Sequence, residues 1–261
     1  MKIFDVKNKY VLVTGASKGI GLEICKYLLN RGYNIVGVAR NCDKLVELEQ
    51  FYPNNKIEKI ETDLRDLNNL KSLLARISYL DINLVVNNAG YGVWGKFVET
   101  DVEKEMNMID LNIKTLHYMT KFFTKKFIEN NNGRIINVAS VAAFQPGPLF
   151  SSYFASKSYV LSLGIAINTE LKKTKSKVRV VTICPGPIKT DFWLRSEYKQ
   201  NNKKAIHGMN VTKYVKKTLK KALKTNRKNF LLTGFTNKLN KKLVDWLPLG
   251  IVLNAVYKKQ K

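Results

Sequence analysis

The sequence predicts an α/β fold, a doubly wound sheet of about seven parallel strands with helices on both faces. Short apolar runs alternate with longer stretches of helical periodicity, and several of the short runs consist almost entirely of Val, Ile and Leu. Such runs are typical of strands buried on both faces, and the alternation is typical of right-handed βαβ units. The predicted strands are residues 10–14, 34–39, 56–61, 83–87, 134–139, 179–184 and 230–233, and the predicted helices include residues 19–30, 67–77, 102–130, 152–172 and 213–224.

Length and composition indicate one domain that covers residues 1–261. The apolar fraction of 45% and the charged fraction of 25% are those of an ordinary globular protein. The three cysteines have no C-x-x-C spacing and the two histidines lie far apart, so the pattern excludes a disulfide scaffold and indicates no metal site. The sequence has neither a signal-peptide pattern nor an apolar window of roughly 20 residues, which predicts a cytoplasmic protein.

Basic residues are concentrated towards the C-terminus. The formal net charge is +25, and residues 199–261 contain 17 Lys or Arg and a single acidic residue, Asp245. This pattern is typical of a solvated basic face, of weak contact with an anionic membrane or an acyl carrier protein, or of nucleic-acid binding. Because no nucleic-acid motif accompanies the charge, we expect no nucleic-acid partner. The other two interpretations stay open.

A glycine-rich turn, GASKGIG at residues 15–21, joins the first predicted strand to the first helix. Glycines at such a junction permit a tight turn and allow backbone N–H groups to approach an anion at the helix N-terminus. The spacing differs from the commonest dinucleotide-binding motif, G-x-G-x-x-G, but the strand–turn–helix context is the same. The turn therefore predicts phosphate binding within a Rossmann-type fold.

Arg40 ends the second predicted strand, where dinucleotide-binding folds often place an acid that bonds the ribose 2′-hydroxyl. A carboxylate there would repel a 2′-phosphate, whereas a guanidinium can bind it in a fork geometry. Lys18, within the glycine turn, supplies a second cation. These residues predict NADP(H) rather than NAD(H) as the cofactor.

Tyr153 and Lys157 are four residues apart in a predicted helix, so their side chains lie on one face. Free tyrosine has a pKa of about 10 and exchanges protons poorly at neutral pH, but a neighbouring ammonium lowers that pKa. Ser140, thirteen residues before Tyr153, is a candidate to hold a substrate oxygen beside the phenol. Taken alone, the motif also fits a surface Tyr–Lys pair.

These motifs together resemble those of the short-chain dehydrogenase/reductase family. NNAG at residues 87–90 resembles the family's Asn-Asn-Ala-Gly motif, and PGPIKT at residues 185–190 resembles its nicotinamide-binding loop. The resemblance implies hydride transfer between a nicotinamide and the carbonyl or alcohol carbon of a small molecule. The cofactor-binding residues that it implies are Gly15, Ser17, Lys18, Gly19, Ile20, Gly21, Arg40, Asp63, Leu64, Asn88, Ala89, Gly90, Tyr153, Lys157, Pro185, Gly186, Ile188 and Thr190.

The resemblance also implies four catalytic residues. Tyr153 would act as general acid and base, and Ser140 would position the carbonyl oxygen. Lys157 would lower the Tyr153 pKa and bind the nicotinamide ribose, while Asn112 would hold a water that links Lys157 to solvent. The family is commonly dimeric or tetrameric, so a homodimer or homotetramer is expected. Reduction of 3-oxoacyl thioesters on acyl carrier protein or coenzyme A is one alternative, and a non-catalytic NADP-binding protein is another.

Aromatic residues in the predicted loops indicate where a substrate would bind. The predicted substrate contacts are Ser140, Phe144, Phe192 and Trp193, and residues 191–209 are the predicted lid. The aromatic and Pro/Gly content of these loops favours an apolar carbonyl substrate. Packing of the aromatics between lid and body is the alternative.

Residues 235–261 form a predicted helical tail that is apolar and flanked by lysines. This tail resembles that of a poorly characterised subgroup of the family, which has a Leu-Pro-containing C-terminal helix. Three arrangements are consistent with it: packing over the substrate cleft, a subunit contact, or a position on an anionic lipid surface. The last would make the cytoplasmic protein peripheral to a membrane.

Overall fold

The computed structural model describes residues 9–192, 196 and 208–261. Its framework is one sheet of seven strands in the order β3-β2-β1-β4-β5-β6-β7, and all neighbouring strands are parallel. The predicted fold class is therefore confirmed. The strands are β1 (Tyr10–Thr14), β2 (Asn34–Ala39), β3 (Ile57–Glu61), β4 (Ile82–Asn87), β5 (Arg134–Val138), β6 (Arg179–Cys184) and β7 (Phe230–Leu232).

Helices cover both faces of the sheet, because each face carries apolar side chains that must be buried. One apolar core contains side chains of α1, α2 and α7, and a second contains side chains of α3, α5 and α6. The helices are α1 (Gly19–Leu29), α2 (Asp43–Phe51), α3 (Leu67–Arg76), α4 (Val102–Ile109), α5 (Leu116–Glu129), α6 (Ser151–Lys173), α7 (Val211–Ala222), α8 (Phe235–Trp246) and α9 (Leu249–Gln260).

The strand order reverses between β1 and β4, and this reversal positions the site. Ligands of open α/β sheets bind outside the carboxyl ends of the strands at such a point. Here the two ends are hydrogen-bonded together, since the Thr14 hydroxyl accepts bonds of 3.0 Å from the backbone N–H groups of both Asn88 and Ala89. The glycine turn after β1 and the NNAG loop after β4 thus lie side by side.

The predicted helix at residues 102–130 is interrupted in the structure. A π-helical segment, Asp110–Thr115, separates α4 from α5. Single π-helical turns inside α-helices occur frequently at functional sites. Here the segment contains the buried Asn112, whose amide is hydrogen-bonded outside the helix. Continuous helical periodicity gave no sign of this interruption.

The C-terminal tail is helical, as expected, but consists of two helices. Pro248 is the N-cap of α9, and the preceding residue, Leu247, is extended with ψ of 146°. A residue before proline is sterically biased away from the helical region, which explains the break. Within the described part of the chain, no helix is both long and apolar enough to cross a membrane.

Candidate active site

A cleft of about 1050 Å³ lies at the carboxyl ends of the central strands. Pockets for single drug-sized ligands are roughly 300–1,000 Å³, so this cleft has room for a dinucleotide and a second molecule. Gly21 is the one predicted cofactor residue that does not line it, because Gly21 is buried against Gly15 and Asn88. The predicted residues that do line the cleft are Gly15, Ser17, Lys18, Gly19, Ile20, Arg40, Asp63, Leu64, Asn88, Ala89, Gly90, Tyr153, Lys157, Pro185, Gly186, Ile188 and Thr190.

The glycine turn presents the N-terminus of α1 to this cleft. Gly15 has φ of +65°, a left-handed conformation that side chains disfavour and that lets the chain turn sharply after β1. The N-cap residue of α1, Lys18, makes no side-chain cap bond, and the first turn contains no acidic residue. The first N–H groups of α1 are therefore left for an external anion, such as a phosphate.

Basic side chains lie at the β2–β3 side of the cleft. Arg40 and Lys18 are exposed and line it, as does Arg65, which the sequence analysis did not predict. Asp63, one of the predicted cofactor-binding residues, accepts hydrogen bonds from the Arg65 side chain (Nε to Oδ2, 2.9 Å) and from its backbone N–H. These bonds hold the pKa of the Asp63 carboxyl below its usual value. The cluster fits a phosphorylated adenosine, with Arg65 as an additional cation.

Tyr153 and Lys157 project from one face of α6 into the cleft, one helical turn apart, as the spacing predicts. Burial raises the pKa of Tyr153 to about 12, and a hydrogen bond with the Ser140 side chain lowers it only partly. The expected lowering by Lys157 is not found in this structure, in which the Lys157 Nζ lies 5.7 Å from the centre of the Tyr153 ring. Desolvation of the phenolate outweighs the ammonium at this separation.

Lys157 is almost completely buried, and its ammonium donates a 3.0 Å hydrogen bond to the Val138 carbonyl oxygen at the end of β5. Burial lowers the pKa of Lys157 to about 8, against a smaller opposing effect of Cys184. The residue is thus mostly protonated at neutral pH, but it loses its charge within the weakly alkaline range.

Ser140 follows β5 and is the N-cap of a short 3₁₀-helix, Val141–Phe144. Its hydroxyl oxygen accepts a 3.1 Å hydrogen bond from the Ala142 backbone N–H. This bond fixes the Ser140 side chain, which lies close enough to the Tyr153 phenol to lower its pKa. Ser140 and Tyr153 are therefore placed to receive one substrate oxygen between them.

Asn112 does not line the cleft but supports the loop that does. Its Nδ2 donates to the Tyr91 carbonyl oxygen (2.9 Å) and to the Ser156 hydroxyl (3.1 Å), while its Oδ1 accepts from the Tyr91 N–H (3.2 Å). A Cβ placed on Gly90 would come within 2.7 Å of the Asn112 Oδ1 and 3.4 Å of the Lys157 Nζ. The structure thus assigns Asn112 a bracing contact, and the predicted water-holding role stays a prediction.

The predicted substrate-contact residues differ in where the structure places them relative to the cleft. Phe192 lines the cleft, and its ring centre lies 5.4 Å from that of Tyr153. Phe144 does not line this cleft: its ring packs against Phe230, 5.7 Å away between centres, and beneath the Lys241 ammonium. That packing places the half-buried Phe144 ring beside β7 and α8, and its contact with a substrate stays a prediction. Trp193 and most of the predicted lid, residues 191–209, lie outside the described residues.

The tail helices form a cleft wall whose residues the sequence analysis did not specify. The Trp94 indole N–H donates a 3.2 Å hydrogen bond to the Gln260 carbonyl oxygen, which attaches the end of α9 to the loop after β4. Of the three arrangements open for the tail, packing over the cleft is therefore observed. The apolar tail residues that line the cleft are Leu243, Val244, Leu247, Val252 and Val256.

Known proteins resemble this chain across the same region. The model of the short chain dehydrogenase family matches residues 9–201. An uncharacterized oxidoreductase from Staphylococcus saprophyticus is 32% identical over 191 residues, which are 71% of this chain and 81% of the relative. A probable NADP-dependent dehydrogenase from Haemophilus influenzae is 33% identical over 186 residues, 69% and 72% of the two chains. A solved short-chain dehydrogenase from Sphingobium yanoikuyae, in complex with NADPH, has a TM-score of 0.78 and 25% identity, with coverage of 92% and 96%.

Proposed function

The chain belongs to the short-chain dehydrogenase family and is an NADP(H)-dependent oxidoreductase, and from this premise we propose that it interconverts an apolar ketone or aldehyde and the corresponding alcohol, with Tyr153 as general acid and base. The observation that supports the proposal best is that Ser140 lies close enough to the Tyr153 phenol to lower its pKa, beside the buried Lys157. This group lies in the same cleft as the glycine turn and the basic side chains.

Different residues of the cleft would bind different parts of the cofactor. The N-terminus of α1 would hold the pyrophosphate, and Arg40 with Lys18 and Arg65 would hold the 2′-phosphate of the adenosine. Lys157 and the loop at residues 185–190 would hold the nicotinamide half. When bound, the nicotinamide supplies or accepts the hydride.

Tyr153 would donate the proton in reduction and accept it in oxidation. In reduction, as hydride adds to the carbonyl carbon, the Tyr153 hydroxyl gives its proton to the carbonyl oxygen, so that the alcohol forms and a phenolate remains. The Ser140 hydroxyl positions the carbonyl oxygen, and the Lys157 ammonium stabilises the phenolate through the electric field of its charge. A pKa of about 12 keeps Tyr153 protonated at neutral pH, the form that donates a proton in reduction.

The substrate side of the cleft supports an apolar substrate. The tail contributes Val244, Val252 and Val256, and Phe192 packs beside Tyr153. Aliphatic and aromatic walls with one hydrogen-bonding pair favour a molecule that is apolar apart from its carbonyl or alcohol group.

Substitution of Tyr153 tests this proposal. We expect Tyr153→Phe to reduce NADPH oxidation with a reactive ketone by roughly 10²–10⁴-fold, the usual contribution of general acid catalysis. The NADPH dissociation constant should stay within about twofold, because the glycine turn and the basic cluster are unchanged. Activity is followed by NADPH absorbance against apolar ketones, aldehydes and 3-oxoacyl thioesters, and binding by calorimetry.

Tyr159→Phe is the matched control, since Tyr159 lies on the same helix but bonds to His117, 2.6 Å away on the surface. This variant should keep both activity and NADPH affinity. Near wild-type turnover in Tyr153→Phe would refute the role of Tyr153.

A further inference from the structure

The two tail helices α8 and α9, which we call the tail hairpin (residues 235–260), have two apolar faces. The inner face packs on the body and lines the cleft, with Val252 almost completely buried. Val256 packs against the cluster that includes Phe150 and Phe154. Packing on the body and lining of the cleft therefore explain why the inner face is apolar.

The outer face carries large apolar side chains that no other described residue of the chain covers. Phe235 is 82% exposed and Trp246 is 83% exposed, and Leu239 lies between them on the same side of α8, at positions i, i+4 and i+11. In α9, Leu249 and Ile251 are each more than half exposed as well. We call these five side chains the apolar stripe.

Lysines surround the apolar stripe. Lys238, Lys242 and Lys258 are exposed and have no carboxylate partner among the residues that the structure describes. Asp245, the only acidic residue between positions 199 and 261, is already paired with Lys241 at 2.5 Å. The net charge of the described tail residues around the apolar stripe is therefore positive and complements an anionic surface.

The positive charge also indicates which partner, a second copy of the chain or a lipid bilayer, would cover the apolar stripe. A second copy of the chain would bring two sets of lysines together across a symmetric contact, which like-charge repulsion disfavours. An anionic bilayer satisfies both features at once, because Trp and Leu side chains enter the interface between headgroups and acyl chains while lysines contact the lipid phosphates.

We propose that the tail hairpin docks on an anionic lipid surface. Phe235, Trp246 and Leu249 enter the headgroup boundary, and the surrounding lysines bind the lipid phosphates. Docking requires neither cofactor nor reaction. Because the other face of the hairpin walls the cleft, docking also places the substrate site beside the membrane, where apolar ketones concentrate; this last consequence, unlike the docking, rests on the proposed function.

Vesicle co-sedimentation of the full chain tests the electrostatic part. Wild type should bind vesicles of phosphatidylcholine with about 30% phosphatidylserine at low salt, and at least about tenfold more weakly at roughly 0.5 M salt or without phosphatidylserine. Lys238→Glu/Lys242→Glu should weaken binding by at least about tenfold, since each basic residue contributes roughly fivefold. The control Lys56→Glu/Lys71→Glu makes the same charge change at exposed positions outside the hairpin and should stay within about threefold.

Tryptophan emission tests the insertion. Vesicles should shift the emission of wild type to the blue, and Trp246→Phe should lose that shift. Trp246→Ala should bind about tenfold more weakly, whereas Phe51→Ala, at a 75% exposed aromatic of α2, should bind like wild type. Tyr153→Phe should also bind like wild type, so failure of the catalytic proposal leaves this one standing.

Three results would overturn the proposal. The first is no binding of wild type to phosphatidylserine vesicles at low salt, and the second is equal loss of binding in the Lys56→Glu/Lys71→Glu control. The third is a dimer in sedimentation velocity without lipid that Trp246→Ala dissociates, because a second copy would then cover the apolar stripe.

Discussion

At the scale of single residues, two buried ionisable side chains set the pH behaviour of the site. Burial raises the pKa of Tyr153 to about 12 and lowers that of Lys157 to about 8, so each shift favours the uncharged form. At neutral pH the phenol keeps its proton, ready for transfer to a carbonyl oxygen, and the lysine is mostly charged. Alcohol oxidation needs the phenolate and should therefore gain rate as the pH rises.

The Lys157 pKa makes a stability prediction. The folded-state pKa of about 8 lies below the ordinary lysine value of 10.5, so the folded protein releases this proton first and gains stability as the pH rises through that window. Between pH 8 and 9 the free energy of unfolding of wild type should rise by about 1 kcal/mol relative to Lys157→Met. Urea titrations at each pH measure this difference, in which the effects of buried cysteines cancel.

Lys71→Met, at an exposed lysine of α3, is the control and should follow wild type at every pH. Parallel stability profiles of wild type and Lys157→Met between pH 8 and 9 would contradict the assigned pKa of Lys157.

At the scale of elements, the π-helical segment Asp110–Thr115 and the loop after β4 act as one brace. The amide of Asn112 bonds to both backbone groups of Tyr91, and this close approach requires the absence of a side chain at Gly90. The brace holds the loop against Lys157 and so fixes one wall of the cleft.

Gly90→Ala tests the brace. The new methyl group would meet the Asn112 Oδ1 at 2.7 Å, so Asn112 or the loop must move. Displacements of about 1 Å near a reaction centre cost up to about 10²-fold in rate, and we expect kcat/KM to fall at least about tenfold, with a lower melting temperature. Steady-state kinetics and thermal unfolding measure both effects.

Gly250→Ala is the matched control for this substitution. Gly250 lies in α9 with open space around its Cβ position, and alanine favours helix by up to about 1 kcal/mol. This variant should keep its activity and melt no lower than wild type. A fully active and stable Gly90→Ala protein would show that the brace is dispensable.

Sequence patterns predict those elements whose signals are local. The buried strands, the glycine turn and the four-residue spacing of Tyr153 and Lys157 depend on neighbours along the chain, and the structure brings the predicted cofactor residues to one cleft. The π-helical segment, the packing of Phe144 on Phe230 and the direction of the Tyr153 pKa depend on tertiary contacts instead. Neither residue type nor spacing specifies such contacts.

At the scale of the whole molecule, one parallel sheet positions three groups of residues along its carboxyl edge. The basic cluster lies beside β2 and β3, the glycine turn follows β1 beside β4, and Ser140 follows β5, with Tyr153 on α6 next to it. The tail hairpin closes the substrate side with its inner face and presents lysines and the apolar stripe outward. Cofactor, substrate and surface thus meet at a single edge of the fold.

Transfer of deuterium from NADPH deuterated at nicotinamide C4 tests the central claim most directly. With an apolar ketone that the wild-type protein consumes, mass spectrometry should find one deuterium on the carbinol carbon for each NADPH oxidised. Under the same conditions Tyr153→Phe, with NADPH bound, should form almost no labelled alcohol. Labelled alcohol formed by Tyr153→Phe at the wild-type rate, or NADPH oxidised by wild type without label in the alcohol, would contradict the account.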